Sequence, residues 1–111
     1  MKRAVWLSYD LSVKGDYEGL YAWLDNLKAI ECGDSIAFFR WEDDGVNEIS
    51  EQIKKSLLSG FEYSKKKDRI YLIYRSTETG NMKGRFICGN RKANPWEGLG
   101  SREVEDDYEE Q

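Results

Sequence analysis

The sequence predicts an α+β protein in which two helices lie on one face of a four-stranded sheet. Apolar residues follow strand and helix periods in the order β-α-β-α-β-β. Of the 111 residues, 40% are hydrophobic and one is proline, which excludes collagen-like and low-complexity classes. We therefore expect a single two-layer domain over residues 1–100, followed by a tail over residues 101–111.

The first half of the chain carries two predicted strands and one predicted helix. Residues 4–11 are apolar and aromatic on both faces, which is typical of a central strand. Leucines at helical spacing predict a helix over residues 17–29, with Asp16 as its N-cap. Residues 35–42 again have the composition of a strand.

The second half of the chain carries one predicted helix, followed by a predicted β-hairpin. Apolar residues at helical spacing predict a helix over residues 46–58. Residues 69–75 are apolar on both sides and form an internal strand, and residues 83–88 form its hairpin partner across a polar turn. Residues 89–100 are irregular.

Aromatic residues in these strands leave one sheet face more apolar than a solvated face should be. This favours a homodimer packed sheet to sheet. The alternative is that the segment around Trp96 and Leu99 folds back over part of the sheet. Trp6, Trp23, Phe38, Phe39 and Trp41 are accordingly interpreted as core or interface residues rather than base-stacking residues.

Negative charge is concentrated at the end of the chain. Residues 101–111 contain six acidic residues and one arginine, a net charge of −5, which leaves +1 for residues 1–100. Such a tail is expected to be disordered and solubilising. The alternative is that it competes with an anionic ligand for a basic surface.

The counts of cysteine and histidine restrict the chemistry. The chain has no histidine, which excludes Ser-His-Asp and Cys-His catalysis and leaves zinc without a ligand set. Cys32 and Cys88 stand alone and are expected to be reduced. No apolar run approaches the roughly 20 residues of a membrane span, and the first residues lack the pattern of a signal peptide. We expect a cytoplasmic protein without a membrane partner.

Four segments resemble one known group of proteins. They are Ser8-Tyr9-Asp10-Leu11, then the glycine-aspartate start of the first helix at residues 15–20, the glycine-serine-aromatic strand at residues 33–39, and the aspartate-led strand at residues 68–74. In order and spacing, over residues 2–75, they resemble the superfamily of CRISPR-associated protein two, the virulence-associated protein D toxins and SinR-like proteins.

The resemblance implies a ferredoxin-like fold and a homodimer, in a toxin–antitoxin or phage-conflict setting. For members with nuclease activity it also implies metal-dependent cleavage of a phosphodiester. The catalytic and metal-binding aspartate of those members corresponds to Asp10, and two copies of it would face each other across the dimer axis. The sequence departs from this pattern because nothing basic is adjacent to Asp10 in the chain.

Asp10, paired with its dimer mate and helped by Ser8 or Ser12, is the one constellation that could hold a catalytic Mg²⁺. An aspartate just past a strand also commonly caps a turn, and this structural role is the favoured interpretation. Asp34 and Ser35 are interpreted as turn residues, with contact of Ser35 to a phosphate as the alternative.

Basic residues in the second half of the chain are candidates for binding nucleic acid, with Tyr71, Tyr74 and Phe86 as stacking platforms. The basic candidates are Lys65, Lys66, Lys67, Arg69, Arg85, Arg91 and Lys92. The favoured hypothesis is a dimeric binding or adaptor module for nucleic acid or a protein partner. The alternative is a metal-dependent ribonuclease or DNase that uses paired Asp10.

Overall fold

The computed structural model describes residues 1–100, and the predicted acidic tail, residues 101–111, lies outside the described residues. The chain forms five strands and two helices over these residues. They are β1 (Lys2–Asp10), α1 (Tyr17–Asn26), β2 (Ile30–Gly33), β3 (Ile36–Glu42), α2 (Ile49–Leu58), β4 (Arg69–Arg75) and β5 (Met82–Cys88). The expected α+β class is confirmed.

The strands form one antiparallel sheet in the order β2-β3-β1-β4-β5. β1 lies in the centre, as its two apolar faces predicted, and pairs with β3 on one side and β4 on the other. The predicted hairpin of β4 and β5 is also present.

The sheet has five strands, so the predicted count of four and the predicted order β-α-β-α-β-β are wrong. The first helix ends at Asn26, and Lys28 takes a left-handed φ of 57°, which stops the helix. The chain then forms the short strand β2, which turns through Asp34 and Ser35 and pairs with β3. All four residues of β2 are exposed, so burial gives this segment no alternating pattern that a sequence could display.

Both helices pack on the same face of the sheet. Alternate residues of β1 and β4, such as Val5 and Leu72, are fully buried and point towards the helices. They meet Leu20 of α1 and Ile53 of α2, which have no exposed surface. One core therefore joins the two layers.

Three aromatic residues of the predicted core lie on this helical side. The ring of Trp23 is 5.4 Å from that of Phe39 and 6.3 Å from that of Trp41. The indole N–H of Trp23 donates to Ser56 and that of Trp41 donates to Gln52, each at 3.0 Å. Ser56 and Gln52 both belong to α2, so Trp41 of β3 joins this helix to the sheet and Trp23 joins it to α1.

Two aspartates fasten the loop after β1. Asp16 caps α1 as predicted, since its carboxylate accepts from the amide of Gly19 at 2.9 Å. Hydrogen bonds from the amides of Glu62 and Gly19 hold the pKa of Asp16 below its usual value. Asp68 is 2% exposed and accepts from the amides of Ser12 and Ser64 at 2.8 and 2.7 Å. These bonds fix the end of β1 beside the start of β4.

Cys32 is exposed and Cys88 is buried, and both are free thiols, as expected. Burial raises the pKa of the Cys88 thiol to about 11. Within residues 1–100 no helix is long and apolar enough to cross a membrane.

The face of the sheet opposite the helices, here called the open face, carries an apolar band. Register places Ile30, Phe38, Trp6 and Ile73 side by side across four neighbouring strands. Trp6 and Phe38 are in contact, with ring centroids 5.1 Å apart. Trp96 and Leu99 are 67% and 80% exposed, so these two side chains do not cover the apolar band.

Candidate nucleic-acid interface

A pocket of about 330 Å³ lies on the open face, next to the apolar band. Two register pairs build it, because Ser8 of β1 faces Tyr71 of β4, and Asp10 faces Arg69. We call it the Asp10 pocket, and it is lined by Ser8, Asp10, Arg69, Tyr71, Phe86 and Arg91.

Two aromatic rings form one wall of the Asp10 pocket. Tyr71 and Phe86 are register partners on β4 and β5, and their rings meet edge to face with centroids 4.7 Å apart. The guanidinium of Arg91 lies 5.8 Å from the centre of the Phe86 ring, within the range of a cation–π contact. The ring of Tyr71 lies against Gly84, where a Cβ atom would overlap it.

Positive charge exceeds negative charge around the pocket. Arg69 donates to the carboxylate of Asp10 at 2.9 Å, and the ammonium of Lys92 is 4.0 Å from the same oxygen. Arg91 also lines the pocket, so three cations and one carboxylate lie in or beside it. The Nε atom of Arg69 is buried and has no hydrogen-bond partner within residues 1–100.

Gly89 allows the segment after β5 to reach the pocket. Its φ of +78° is left-handed, and a Cβ atom there would overlap the carbonyl oxygen of Asp68 and the side chain of Arg69. The chain thus turns closely over the start of β4, which brings Arg91 and Lys92 back to the pocket.

The structure brings Asp10, the predicted catalytic and metal-binding residue, together with three of the predicted nucleic-acid-binding residues, Arg69, Arg91 and Lys92. The stacking candidates Tyr71 and Phe86 line the same pocket. Lys65, Lys66 and Lys67 form an exposed turn just before β4 and do not line the pocket.

Arg85, Ser35 and Tyr74 are placed elsewhere. Arg85 points to the helical side, where it donates to Glu48 at 2.9 Å. Ser35 lies in the turn between β2 and β3 with a φ of 62°, and its carbonyl accepts from the amide of Tyr9 at 3.0 Å. Tyr74 is fully buried, so it is not a stacking platform and that prediction is wrong.

The Asp10 pocket of a single chain does not fit a Mg²⁺ ion. Mg²⁺ prefers several oxygen ligands, and Asp10 already lies against two cations that neutralise it. Within the described range, no group of three or more Cys, Asp and Glu side chains is placed to hold a metal ion.

Comparison of the chain with protein-family models, with curated proteins and with solved structures found no match.

Gly84 borders the candidate site and was not among the residues predicted from the sequence. Its contribution is the space that it leaves for the ring of Tyr71, which depends on the register of β4 with β5. The signal in the sequence is a glycine inside a strand, which often marks a close approach of another group.

Proposed function

We propose that the protein binds single-stranded nucleic acid at the Asp10 pocket, as a binding or adaptor module and not as an enzyme. The observation that carries this proposal is the aromatic pair of Tyr71 and Phe86 on an open sheet face, framed by Arg69 and Arg91. Aromatic rings stack on unpaired bases, and arginines neutralise the adjoining phosphates.

The dimensions and charge of the site favour a single strand over a duplex. A pocket of about 330 Å³ admits one flat base, whereas the bases of a duplex are stacked inside it. Residues 1–100 carry a net charge of only +1, so the long-range attraction that drives non-specific duplex binding is weak.

The proposal includes a ferredoxin-like fold within the superfamily that the sequence resembles. Support comes from the chain order β-α-β-β-α-β of its first six elements, with both helices on one face. On this assignment β5 is an addition at the sheet edge that supplies Phe86. The toxin–antitoxin or phage-conflict setting, a protein partner for the adaptor and the cytoplasmic location stay predictions.

The proposal also includes a homodimer formed through the apolar band of the open face. The exposed rings and aliphatic side chains of this band favour burial against a second copy. The Asp10 pocket lies beside the band, so bound nucleic acid would follow the seam between the two chains.

The alternative function is a metal-dependent nuclease that uses paired Asp10. Its support is the resemblance and the position of Asp10 at the end of β1. Because the carboxylate is ion-paired to Arg69, we favour binding over cleavage.

Fluorescence anisotropy with labelled single-stranded RNA and DNA tests the proposal. Replacing Tyr71 or Phe86 by alanine should weaken binding by about 1–3 kcal/mol, since this is the usual contribution of one stacked base. Arg91→Ala should weaken binding and reduce its dependence on salt. Tyr21→Ala, an exposed aromatic on α1, is the matched control and should bind like the wild type.

Equal binding by the wild type and the pocket variants would overturn the proposed site, and so would a failure of the wild type to bind. Cleavage of RNA or DNA that requires a divalent metal, and that Asp10→Ala abolishes, would establish the alternative instead.

A further inference from the structure

Asp10 places a negative charge in a pocket whose other charged residues are arginines, which attract anions. Its side chain is 59% exposed, and its Oδ2 lies 2.9 Å from the guanidinium of Arg69 and 4.0 Å from the ammonium of Lys92. Oδ1 accepts no hydrogen bond from any residue in the part of the chain that the structure describes. Among residues 1–100 the carboxylate is therefore bound through Oδ2, and its Oδ1 faces the pocket without a partner.

A free carboxylate oxygen repels phosphate but accepts hydrogen bonds from N–H groups. Nucleobases carry such donors on their Watson–Crick edges, which are open in a single strand. The Asp10 carboxylate is thus suited to the base of a bound nucleotide, and the arginines are suited to its phosphates.

The register of the sheet places Asp10 within reach of a stacked base. Ser8 lies opposite Tyr71, and Asp10 follows Ser8 by two residues on the same face of β1, a step of about 7 Å. A base that stacks on the Tyr71 ring can therefore direct its edge at the carboxylate. The ion pair with Arg69 fixes the direction from which the donors must approach.

We propose, building on the proposed function, that Asp10 makes the pocket selective for guanine. Guanine presents two adjacent donors, N1–H and the N2 amino group, and the two oxygens of one carboxylate can accept both, because Oδ2 retains unused acceptor capacity. Adenine and cytosine present one amino donor beside a ring-nitrogen acceptor. Uracil presents one N–H between two carbonyl oxygens, which the carboxylate repels.

The test measures binding of an oligouridylate of about 12 nucleotides, in EDTA, with one central base varied among G, A, C and U. The wild type should bind the guanine-containing strand about tenfold more tightly than the uracil strand. Asp10→Asn keeps the shape of the side chain but replaces one acceptor oxygen by a donor, so its preference should fall to about twofold or less. Asp34→Asn, an exposed aspartate in the turn after β2, is the matched control and should retain the full preference.

Two results would overturn this assignment while leaving the proposed function intact. They are equal binding of all four strands by the wild type, and a guanine preference that persists in Asp10→Asn. Absence of binding to every strand would remove both the selectivity and the proposed function. The comparison of strands needs only the wild type, so equal binding of all four strands would overturn the selectivity even where a variant does not fold.

Discussion

At the scale of single residues, the shape of the Asp10 pocket depends on a missing side chain. Gly84 lies in β5 beside Ile73 of β4, and the hydroxyl end of Tyr71 occupies the space above it. The atoms that a Cβ at position 84 would meet belong to the far end of the Tyr71 ring and not to backbone. A side chain there would therefore move the ring and leave the sheet in place.

We accordingly expect Gly84→Ala to weaken binding of single-stranded nucleic acid about as much as Tyr71→Ala, by about 1–3 kcal/mol. The free energy of unfolding should change by less than about 1 kcal/mol, because alanine is tolerated in a strand. Anisotropy titration and urea denaturation measure the two quantities. Gly60→Ala is the control, since a Cβ atom at that position meets open space. Unchanged affinity of Gly84→Ala would show that the position of the Tyr71 ring does not matter.

At the scale of elements, a carboxylate attaches the start of α2 to the sheet. Glu48 precedes α2 and accepts hydrogen bonds from Tyr74 of β4 at 2.7 Å and from Arg85 of β5 at 2.9 Å. The Ser50 hydroxyl donates to the same carboxylate at 2.6 Å. Burial by itself would raise the pKa of Glu48, but the hydrogen bonds from Ser50 and Tyr74 and nearby positive charge outweigh it and lower the pKa.

This shift makes stability depend on pH in a defined direction. Because the pKa of Glu48 is lower in the folded than in the unfolded protein, the stabilisation is complete well above the ordinary value of 4.5 and is lost as the pH falls through the folded value. Glu48→Gln should reduce the free energy of unfolding at pH 7 by about 1 kcal/mol, since a neutral acceptor bonds more weakly. Wild type and variant should converge as the pH falls below 4.5.

Urea denaturation at a series of pH values between neutral and about pH 3 checks this expectation. The lowered pKa values of Asp16, Asp43 and Asp44 act in the same direction in both proteins, so the difference between the two curves isolates Glu48. Glu51→Gln, at an exposed position of α2, is the control. A constant difference at every pH would contradict the role given to the Glu48 charge.

At the scale of the whole molecule, the open face leaves a band of apolar side chains exposed. The helical side buries its aromatic rings within one chain, whereas Trp6 and Ile73 on the open face remain 38% and 42% exposed. Their neighbours across the sheet are also apolar, so the exposed area is continuous. Continuous apolar surface of this kind is typical of an interface.

We expect sedimentation velocity to give twice the chain mass of 13.0 kDa for the wild type. Trp6→Glu or Ile73→Glu should give monomers, because a charge buried without a partner opposes association. Val46→Glu should remain dimeric, since Val46 is 87% exposed in the loop before α2. A wild-type mass equal to one chain over a wide dilution series would exclude the homodimer.

Much of the architecture follows from local patterns in the sequence. β4 covers the predicted residues 69–75, and β1, β3, α2 and β5 were each located to within three residues at either end. The apolar periods that carry this information are properties of neighbouring residues. β2 was not predicted. It is a short, wholly exposed strand at the sheet edge, so its pairing with β3 specifies it and no alternation of apolar residues does.

Part of the candidate site could likewise be predicted from the sequence, and part could not. The sequence alone determined the α+β class, the apolar open face and the basic and aromatic residue types that a nucleic-acid site needs. Only the tertiary structure decided which of these residues meet, because Asp10 and Arg69 are 59 positions apart and are joined by strand register. Side chains alternate between the two faces of a strand, and only the structure showed that Arg85 and Tyr74 lie on the helical face. There Arg85 bonds to Glu48, and Tyr74 is buried.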